Sequence, residues 1–331
     1  MSKHRDRILV TGGAGFIGSA LVWALNKRGL TDIIITDFLG RDEKWRNLVG
    51  LQFLDFIDAR QFRNRLSQHS ETFGTFDYVF HLGACSSTTE TDAAYLLDNN
   101  YNVTKEMAAW ALAQKARFIY ASSAATYGDG AKSMSDETDG QIFRPLNMYA
   151  YSKHLFDLHA LRQGWLDRII GLKYFNVFGP NEDHKGDMCS LVHKAYREIR
   201  RSGKISLFKS HRPEYSHGEQ KRDFLYVKDA VEMTLHLAFN AKTRGGIYNV
   251  GSGEANTWND LATAVFHALG KAPIIEYVDM PELIREKYQY YTQADISKLR
   301  AAAYDCPITP LKGAVHDYVQ NYLTVDSRLG E

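Results

Sequence analysis

Cysteine is scarce in this chain. Cys85, Cys189 and Cys306 are three thiols among 331 residues, too few and too scattered for a disulfide framework, which fits a reducing cytoplasm. Charge of one sign is missing too: 40 basic residues face 39 acidic ones, so no overall basic footprint exists for nucleic acid or a membrane surface. No run of eighteen apolar residues occurs, and Lys3-His-Arg-Asp-Arg7 passes straight into Ile8-Leu-Val10 with no apolar signal region between. Internal repeats and low-complexity segments are absent. The histidines of His211-Arg-Pro-Glu-Tyr-Ser-His-Gly218 lack the cysteine or carboxylate spacing of a metal site, so that stretch reads as a surface loop. The expectation is a soluble cytoplasmic protein without metal, nucleic-acid or membrane partner. A chain this long can bury roughly three quarters of its unfolded surface, enough for one large or two modest domains.

What is present is a rhythm. Short β-branched runs recur at Ile8–Val10, Ile33–Thr36, Leu51–Leu54, Tyr78–His81, Phe118–Tyr120 and Ile169–Leu172. Their apolarity suits strands buried on both faces of a parallel sheet. Helical patterns lie between them, at Phe16–Lys27 and Val103–Ala113. The alternation predicts an α/β fold, a Rossmann-type doubly wound parallel sheet. After about residue 175 the rhythm loosens, and Gly179-Pro180 breaks the chain. A polar stretch, His211 to Lys221, separates strand candidates Ile205–Phe208 and Phe224–Tyr226. The second half reads as a smaller mixed α/β substrate-binding domain.

Two local patterns carry chemistry. Gly12-Gly-Ala-Gly15-Phe-Ile-Gly18 follows a strand and opens a helix. In that setting Gly12 permits the tight turn, Gly15 lets a pyrophosphate reach the backbone, and Gly18 lets helix and sheet pack closely. Asp37, nineteen residues after Gly18, ends the second strand where a carboxylate binds ribose. That carboxylate argues for NAD, whereas Arg41, Lys44 and Arg46 just beyond it could neutralise the extra phosphate of NADP. Asp55, placed after the third strand, is expected at the adenine edge. Further on, Tyr149 and Lys153 stand four apart, on one face of a helix. A phenol that titrates near ~10 is held down by a neighbouring ammonium and can take a hydroxyl proton as hydride leaves. Tyr151 is only two residues from Lys153 and faces elsewhere.

These residues resemble the extended short-chain dehydrogenase/reductases, in their nucleotide-sugar epimerase branch. The likeness runs from about residue 7 to 324. It rests on Gly83-Ala-Cys-Ser-Ser-Thr-Thr-Glu90, Asp98-Asn-Asn-Tyr101, Ala121-Ser-Ser-Ala-Ala-Thr-Tyr-Gly128, Pro145-Leu-Asn-Met-Tyr149, Tyr174-Phe-Asn-Val-Phe-Gly-Pro180, His184-Lys-Gly186, Lys221-Arg-Asp-Phe224 and Tyr288-Gln-Tyr-Tyr-Thr-Gln-Ala-Asp295. The resemblance implies oxidation and re-reduction at C6 of an ADP-linked heptose, a lipopolysaccharide precursor, with NADP as cofactor. It implies Tyr149 and Lys185 as the two acid/base groups, Ser123 as the hydroxyl orienting the substrate oxygen, and Lys153 on the nicotinamide ribose. Cofactor contacts carry over to Phe16, Ile17, Asp37, Phe38, Lys44, Leu82, Gly83, Ala84, Cys85, Ser86 and Asn99. Substrate contacts carry over to Asn176, Val177, Asp187, Lys194, Phe208, Lys209, Ser210, Arg222 and Tyr288, with Val177 close enough to serve the cofactor as well. The guanidinium of Arg222 suits the ADP diphosphate. By the same resemblance the cofactor domain comprises residues 1–175 and 222–252, the substrate domain 176–221 and 253–331, and the assembly is a homopentamer.

The chain also departs from its relatives. Phe38 replaces a polar residue and Ala59 a lysine, which weakens NADP against NAD. Asp187 and Lys194 stand for a serine and a histidine, and residues 211–218 are additional. A sugar-nucleotide 4,6-dehydratase needs an extra acid and base after the serine, where this chain has Ala124-Ala125-Thr126. A 4-epimerase on another nucleotide sugar needs no second base such as Lys185. A non-catalytic dinucleotide sensor has no use for Ser123, Tyr149 and Lys153 together.

Overall fold

The computed structural model describes residues 6–68, 73–285 and 288–331. Its first half alternates as expected: β1 (Ile8–Thr11), α1 (Phe16–Lys27), β2 (Ile33–Asp37), β3 (Asp55–Asp58), α2 (Ala59–Gln68), β4 (Tyr78–His81), α3 (Ala93–Leu96), α4 (Val103–Ala113), β5 (Arg117–Ser123), α5 (Met148–Arg162) and β6 (Ile169–Tyr174). The remainder runs β7 (Asn176–Phe178), α6 (Leu191–Ser202), β8 (Ile205–Phe208), β9 (Lys221–Arg222), β10 (Phe224–Tyr226), α7 (Val227–Phe239), β11 (Gly246–Val250), β12 (Asn256–Thr257), α8 (Trp258–Ala268), β13 (Ile275–Val278), α9 (Glu282–Arg285), α10 (Ser297–Ala301) and α11 (Leu311–Tyr318).

Seven strands form one parallel sheet in the order β11-β6-β5-β4-β1-β2-β3. The doubly wound sheet is therefore present, and its winding reverses between β1 and β4, where such sheets open a ligand crevice. β11 joins β6 from far along the chain. Three two-stranded sheets, β7 with β10, β9 with β12 and β8 with β13, make up the smaller mixed part. Ile8, Leu9, Val10, Ile33 and Ile35 are wholly buried, as befits strands covered on both faces. Among the described residues no helix is long and apolar enough to cross a membrane.

One strand lies elsewhere than the apolar pattern places it. The third strand is Asp55–Asp58, not Leu51–Leu54. The apolar residues of the earlier run serve other ends: Leu51 packs into the core, while Leu54 is exposed and its N–H joins Ile33. An edge strand paired on one side tolerates flanking carboxylates, and apolarity alone does not find it.

At the centre, β5, β6 and α5 are tied by one buried carboxylate. Asp157 of α5 accepts from Tyr120 Oη at 2.9 Å and Ser122 Oγ at 2.8 Å, both on β5. Lys173 of β6 reaches the same carboxylate at 3.1 Å and also donates to Thr126. Its ammonium sits over the rings of Tyr127 and Phe143. Lys173 and Asp157 are 3% and 4% exposed, and removing one partner of so buried a pair strands the other's charge. Lys173→Met should lower stability by about 3–5 kcal/mol, as read by urea unfolding; a loss within error of zero would show that the pair is dispensable.

Candidate active site

The glycine turn sits where the winding reverses. Gly12 has φ +68°, and a Cβ there would stand 2.6 Å from the Gly83 nitrogen, so the β1 and β4 loops touch only because both positions lack side chains. Gly15 precedes α1, whose first turn has neither a side-chain cap nor an acidic residue. Its leading N–H groups remain available to an anion. The residues thus fit the pyrophosphate of a dinucleotide.

One cavity of about 490 Å³ brings most of the expected residues together. Its walls include Gly12, Gly15, Phe16, Ile17, Gly18, Asp37, Lys44, Leu82, Gly83, Ala84, Cys85, Ser86, Ser123, Tyr149, Lys153, Val177 and Lys185. An adjoining groove continues past Phe38, Asp58, Ala59, Arg60 and Asn99. Asp55 lines neither. It begins β3, and the register Asp37↔Asp58 brings Asp58 to the groove instead. The misplaced third strand explains that error.

Asp37 is not a free acceptor. Its Oδ2 takes the N–H groups of Ala14 and Gly15 at 2.9 and 3.1 Å. Its Oδ1 takes Phe38 N–H at 2.7 Å and Lys44 Nζ at 2.8 Å. Four donors fill a carboxylate's lone pairs, so a ribose hydroxyl has to displace one. Lys44 also donates to the Phe38 carbonyl at 3.0 Å. The Arg60 guanidinium lies 5.3 Å from the centre of the Phe38 ring and has no ion pair among the described residues. Arg60 escaped the sequence reading, although Asp58 caps α2 through its N–H at 2.9 Å, and a capping aspartate next to an arginine was a signal available there.

At the other end, Tyr149 and Lys153 occupy successive turns of α5, whose cap is Asn147. Burial pushes the Tyr149 phenol above its usual pKa, against the downward pull of the Ser123 hydroxyl that shares its cavity. This corrects the expectation of a phenol held down by Lys153. The ammonium is directed to the Ala121 carbonyl at 2.9 Å, and burial pushes it down to about 8, with Asp157 and Cys85 opposing. Lys185 lines the same cavity, its Nζ 5.1 Å from the centre of the Phe16 ring.

A second missed residue braces the Cys85 loop. A π-helical turn, Leu97–Asn102, interrupts the helices and turns Asn100 inward. Its amide pairs with the Cys85 backbone in both directions at 2.9 Å and donates to Ser152 at 3.0 Å. Ser152 in turn donates to the Tyr149 carbonyl. Extra-residue turns of this kind often mark functional sites, but nothing in the residue pattern announces one.

The expected substrate residues are more dispersed. Asn176 is exposed beside Val177, and Asp187 and Lys194 pair with each other, Nζ to carbonyl, at 2.6 Å. Arg222 is buried between the rings of Trp258 and Tyr288 and donates to the Lys221 and Gln289 carbonyls. Phe208, Lys209 and Ser210 close β8, and Ser210 N–H donates to His217. The 211–218 segment folds over Tyr290, which accepts the His211 N–H and lies under Arg212. It lines a wider groove of about 1050 Å³ that lacks Tyr149 and Lys153.

Comparison with known proteins decides the family. The model of the NAD dependent epimerase/dehydratase family matches residues 8–251. The chain belongs to that family. Its cofactor is accordingly a nicotinamide dinucleotide. An ADP-L-glycero-D-manno-heptose-6-epimerase of Nitratidesulfovibrio vulgaris is 50% identical over 95% of this chain and 97% of its own length. Among solved structures, the Helicobacter pylori enzyme of the same name superposes with TM-score 0.78 at 28% identity, covering 96% of each chain. The Thermus thermophilus UDP-glucose 4-epimerase, solved with NAD, gives 0.76 at 26% identity over 95% of this chain and 97% of that one.

Behind Lys185, a buried ion pair sets a pH limit. Asp183 Oδ1 accepts from His193 Nε2 at 3.0 Å. Burial pushes His193 down, but the bond to Asp183, with Cys189 and Glu182 beside it, outweighs that and raises it to about 9. A raised folded-state value means that the pair stabilises fully below pH ~6.5 and is lost as pH rises through about 9. Urea unfolding should therefore show wild type losing its advantage over His193→Asn between those limits; a pH-independent difference would remove the ion pair from the account.

Proposed function

We propose that this chain is an ADP-L-glycero-D-manno-heptose 6-epimerase, an isomerase that inverts C6 of ADP-D-glycero-D-manno-heptose with resident NADP. The observation that carries the reading is one cavity walled by the glycine turn, Ser123, Tyr149, Lys153 and Lys185. Near full-length identity of 50% to a relative of that name supports it. When bound, the nicotinamide stores the C6 hydride and gives it back.

The chain's own residues handle the proton. Ser123 and Tyr149 line the same cavity; the serine hydroxyl orients the 6-hydroxyl, and the Tyr149 phenolate receives its proton as the carbonyl forms. Positive charge on a bound nicotinamide would favour the ionised phenol, which the chain alone disfavours. Lys153 fixes the ribose. The 6-ketone turns about the C5–C6 bond and offers its other face, with its oxygen now displaced toward Lys185, which protonates it. A 4-epimerase has no comparable need for an acid on the second wall. Residues 1–175 and 222–252 serve the cofactor, residues 176–221 and 253–331 the nucleotide sugar. Arg222, held between two rings, faces the diphosphate. The working form is a cytoplasmic homo-oligomer, a pentamer by family resemblance.

NADP is preferred because two cations lining the groove, Lys44 and Arg60, keep donors to spare. Asp37 is filled by four donors, and Arg63 is occupied by Asp98 and Glu106. Lys44 keeps one N–H and Arg60 its whole guanidinium, complementary to a 2′-phosphate. Arg60→Gln should weaken NADP binding about tenfold or more while leaving NAD affinity unchanged, by calorimetry. Equal effects on both cofactors would refute the assignment.

Proton NMR of the purified protein with ADP-D-glycero-D-manno-heptose in deuterated water tests the function itself. The expected outcome is the L-glycero epimer with its C6 hydrogen retained and no net NADPH. Tyr149→Phe should slow conversion about 10²–10⁴-fold. Cofactor-loaded protein that leaves the sugar unchanged would overturn the substrate assignment.

A further inference from the structure

Residues 326–331 lie against both walls of the candidate site without touching the cavity. Arg328 and Leu329 are 4% and 1% exposed. The Arg328 guanidinium stands 3.5 Å from Asp183 Oδ2, two residues before Lys185. Leu329 N–H donates to Asn181 Oδ1 at 3.0 Å, so the segment holds the start of the Lys185 loop at two points. On the cofactor side, Asp326 takes Arg46 at 3.3 Å and Arg328 at 3.3 Å, one on each oxygen. Gly330 packs so closely on Gly50 that a Cβ on the latter would stand 2.6 Å from its carbonyl carbon. Asn47, one residue beyond Arg46, completes the tie by donating to the carbonyls of Ala14 and Asn181 at 3.0 and 3.1 Å.

The loop needs such a tie. Between Asp183 and Met188 it makes a short 3-10 turn broken at Gly186, which has φ +53°. The Lys185 ammonium rests over the Phe16 ring and has no hydrogen-bond or ion-pair partner among the described residues, and the Lys185 backbone N–H reaches back to Glu182 at 3.0 Å. Its position is inherited from the residues before it. Asn181 and Glu182 are wholly buried, and Asp183 is gripped on one oxygen by His193 and on the other by Arg328.

We propose that Arg328 is a positioning residue for Lys185, holding it at the cavity through Asp183. The proposal rests on the reading of Lys185 as the second acid/base group. Displacement of a reacting group by about 1 Å can cost up to about 100-fold in rate, and Arg328 removes that freedom from a loop with no other cation on Asp183 Oδ2 among the described residues.

The test is a double-mutant cycle on the cofactor-loaded enzyme, with turnover followed by NMR of the epimerised sugar. Arg328→Gln should lower kcat about 10–100-fold with KM and cofactor affinity nearly unchanged, and Arg328→Lys should recover part of the loss. In a Lys185→Ala background the same change should cost nothing further, because the group it positions is gone. Asp183→Asn, which weakens the contact but leaves Arg328 in place, should repeat the pattern if Arg328→Gln folds poorly. Multiplying losses in the double mutant, or a lower melting temperature with unchanged turnover per folded molecule, would overturn the role given to Arg328. A Lys185→Ala enzyme as fast as wild type would overturn the reading of Lys185 itself, and this proposal with it.

Discussion

The candidate site depends on a carboxylate that never meets substrate. Asp157 lies one helical turn beyond Lys153, and its hydrogen bonds run to β5 and, through Lys173, to β6. Tyr149 and Lys153 belong to α5, Ser123 to the end of β5. Their separation is therefore the separation of helix and strand, and apolar packing alone would let the two slide. A buried ion pair adds little net stability over an apolar pair. It does restrict register, because every displacement leaves charge unpaired. The arrangement favours precision at the site over economy in the core.

The same principle governs the cofactor groove, with opposite effect. There the protein satisfies itself: Asp37 covers two N–H groups of the glycine turn, and Lys44 covers Asp37. A dinucleotide has to compete with these bonds, and what it can gain without breaking any is contact with uncommitted cations and with the leading N–H groups of α1. The phenol is tuned likewise. Burial favours the protonated form of Tyr149 in the chain alone, so the base role proposed for it calls for added positive charge nearby.

Regular periodicity made the sheet legible, since β1, β2, β4, β5 and β6 are apolar for the reason they are buried. The glycine turn and the Tyr149/Lys153 spacing were legible because backbone geometry demands those residue types. The third strand was not: its pattern Asp55-Phe-Ile-Asp58 is that of an edge, and the more apolar Leu51–Leu54 outcompeted it. That shift of four residues moved Asp55 into a place that Asp58 holds. Asn100 and Arg60 depend on a π-helical turn and on a neighbouring ring, neither of which leaves a periodic trace. The likeness to known epimerases supplied Lys185, whose loop carries no pattern of its own.

On the proposed mechanism, a reaction that must address both faces of one carbon sets unequal demands on Tyr149 and Lys185. Tyr149 is fixed by a helix cap, a buried ion pair and the strand beneath it, all of them local to the main sheet. Lys185 sits on a loop between β7 and α6, where no regular element can hold it. Rigidity there has to be brought from elsewhere, and the nearest source is residues 326–331, which also grip the segment carrying Lys44. One strap then sets the distance between the cofactor's wall and the second acid. If the walls moved independently, the returning hydride and the proton would not stay in step. A tie remote in sequence solves this without placing another side chain in a cavity that must leave the proposed ketone room to turn.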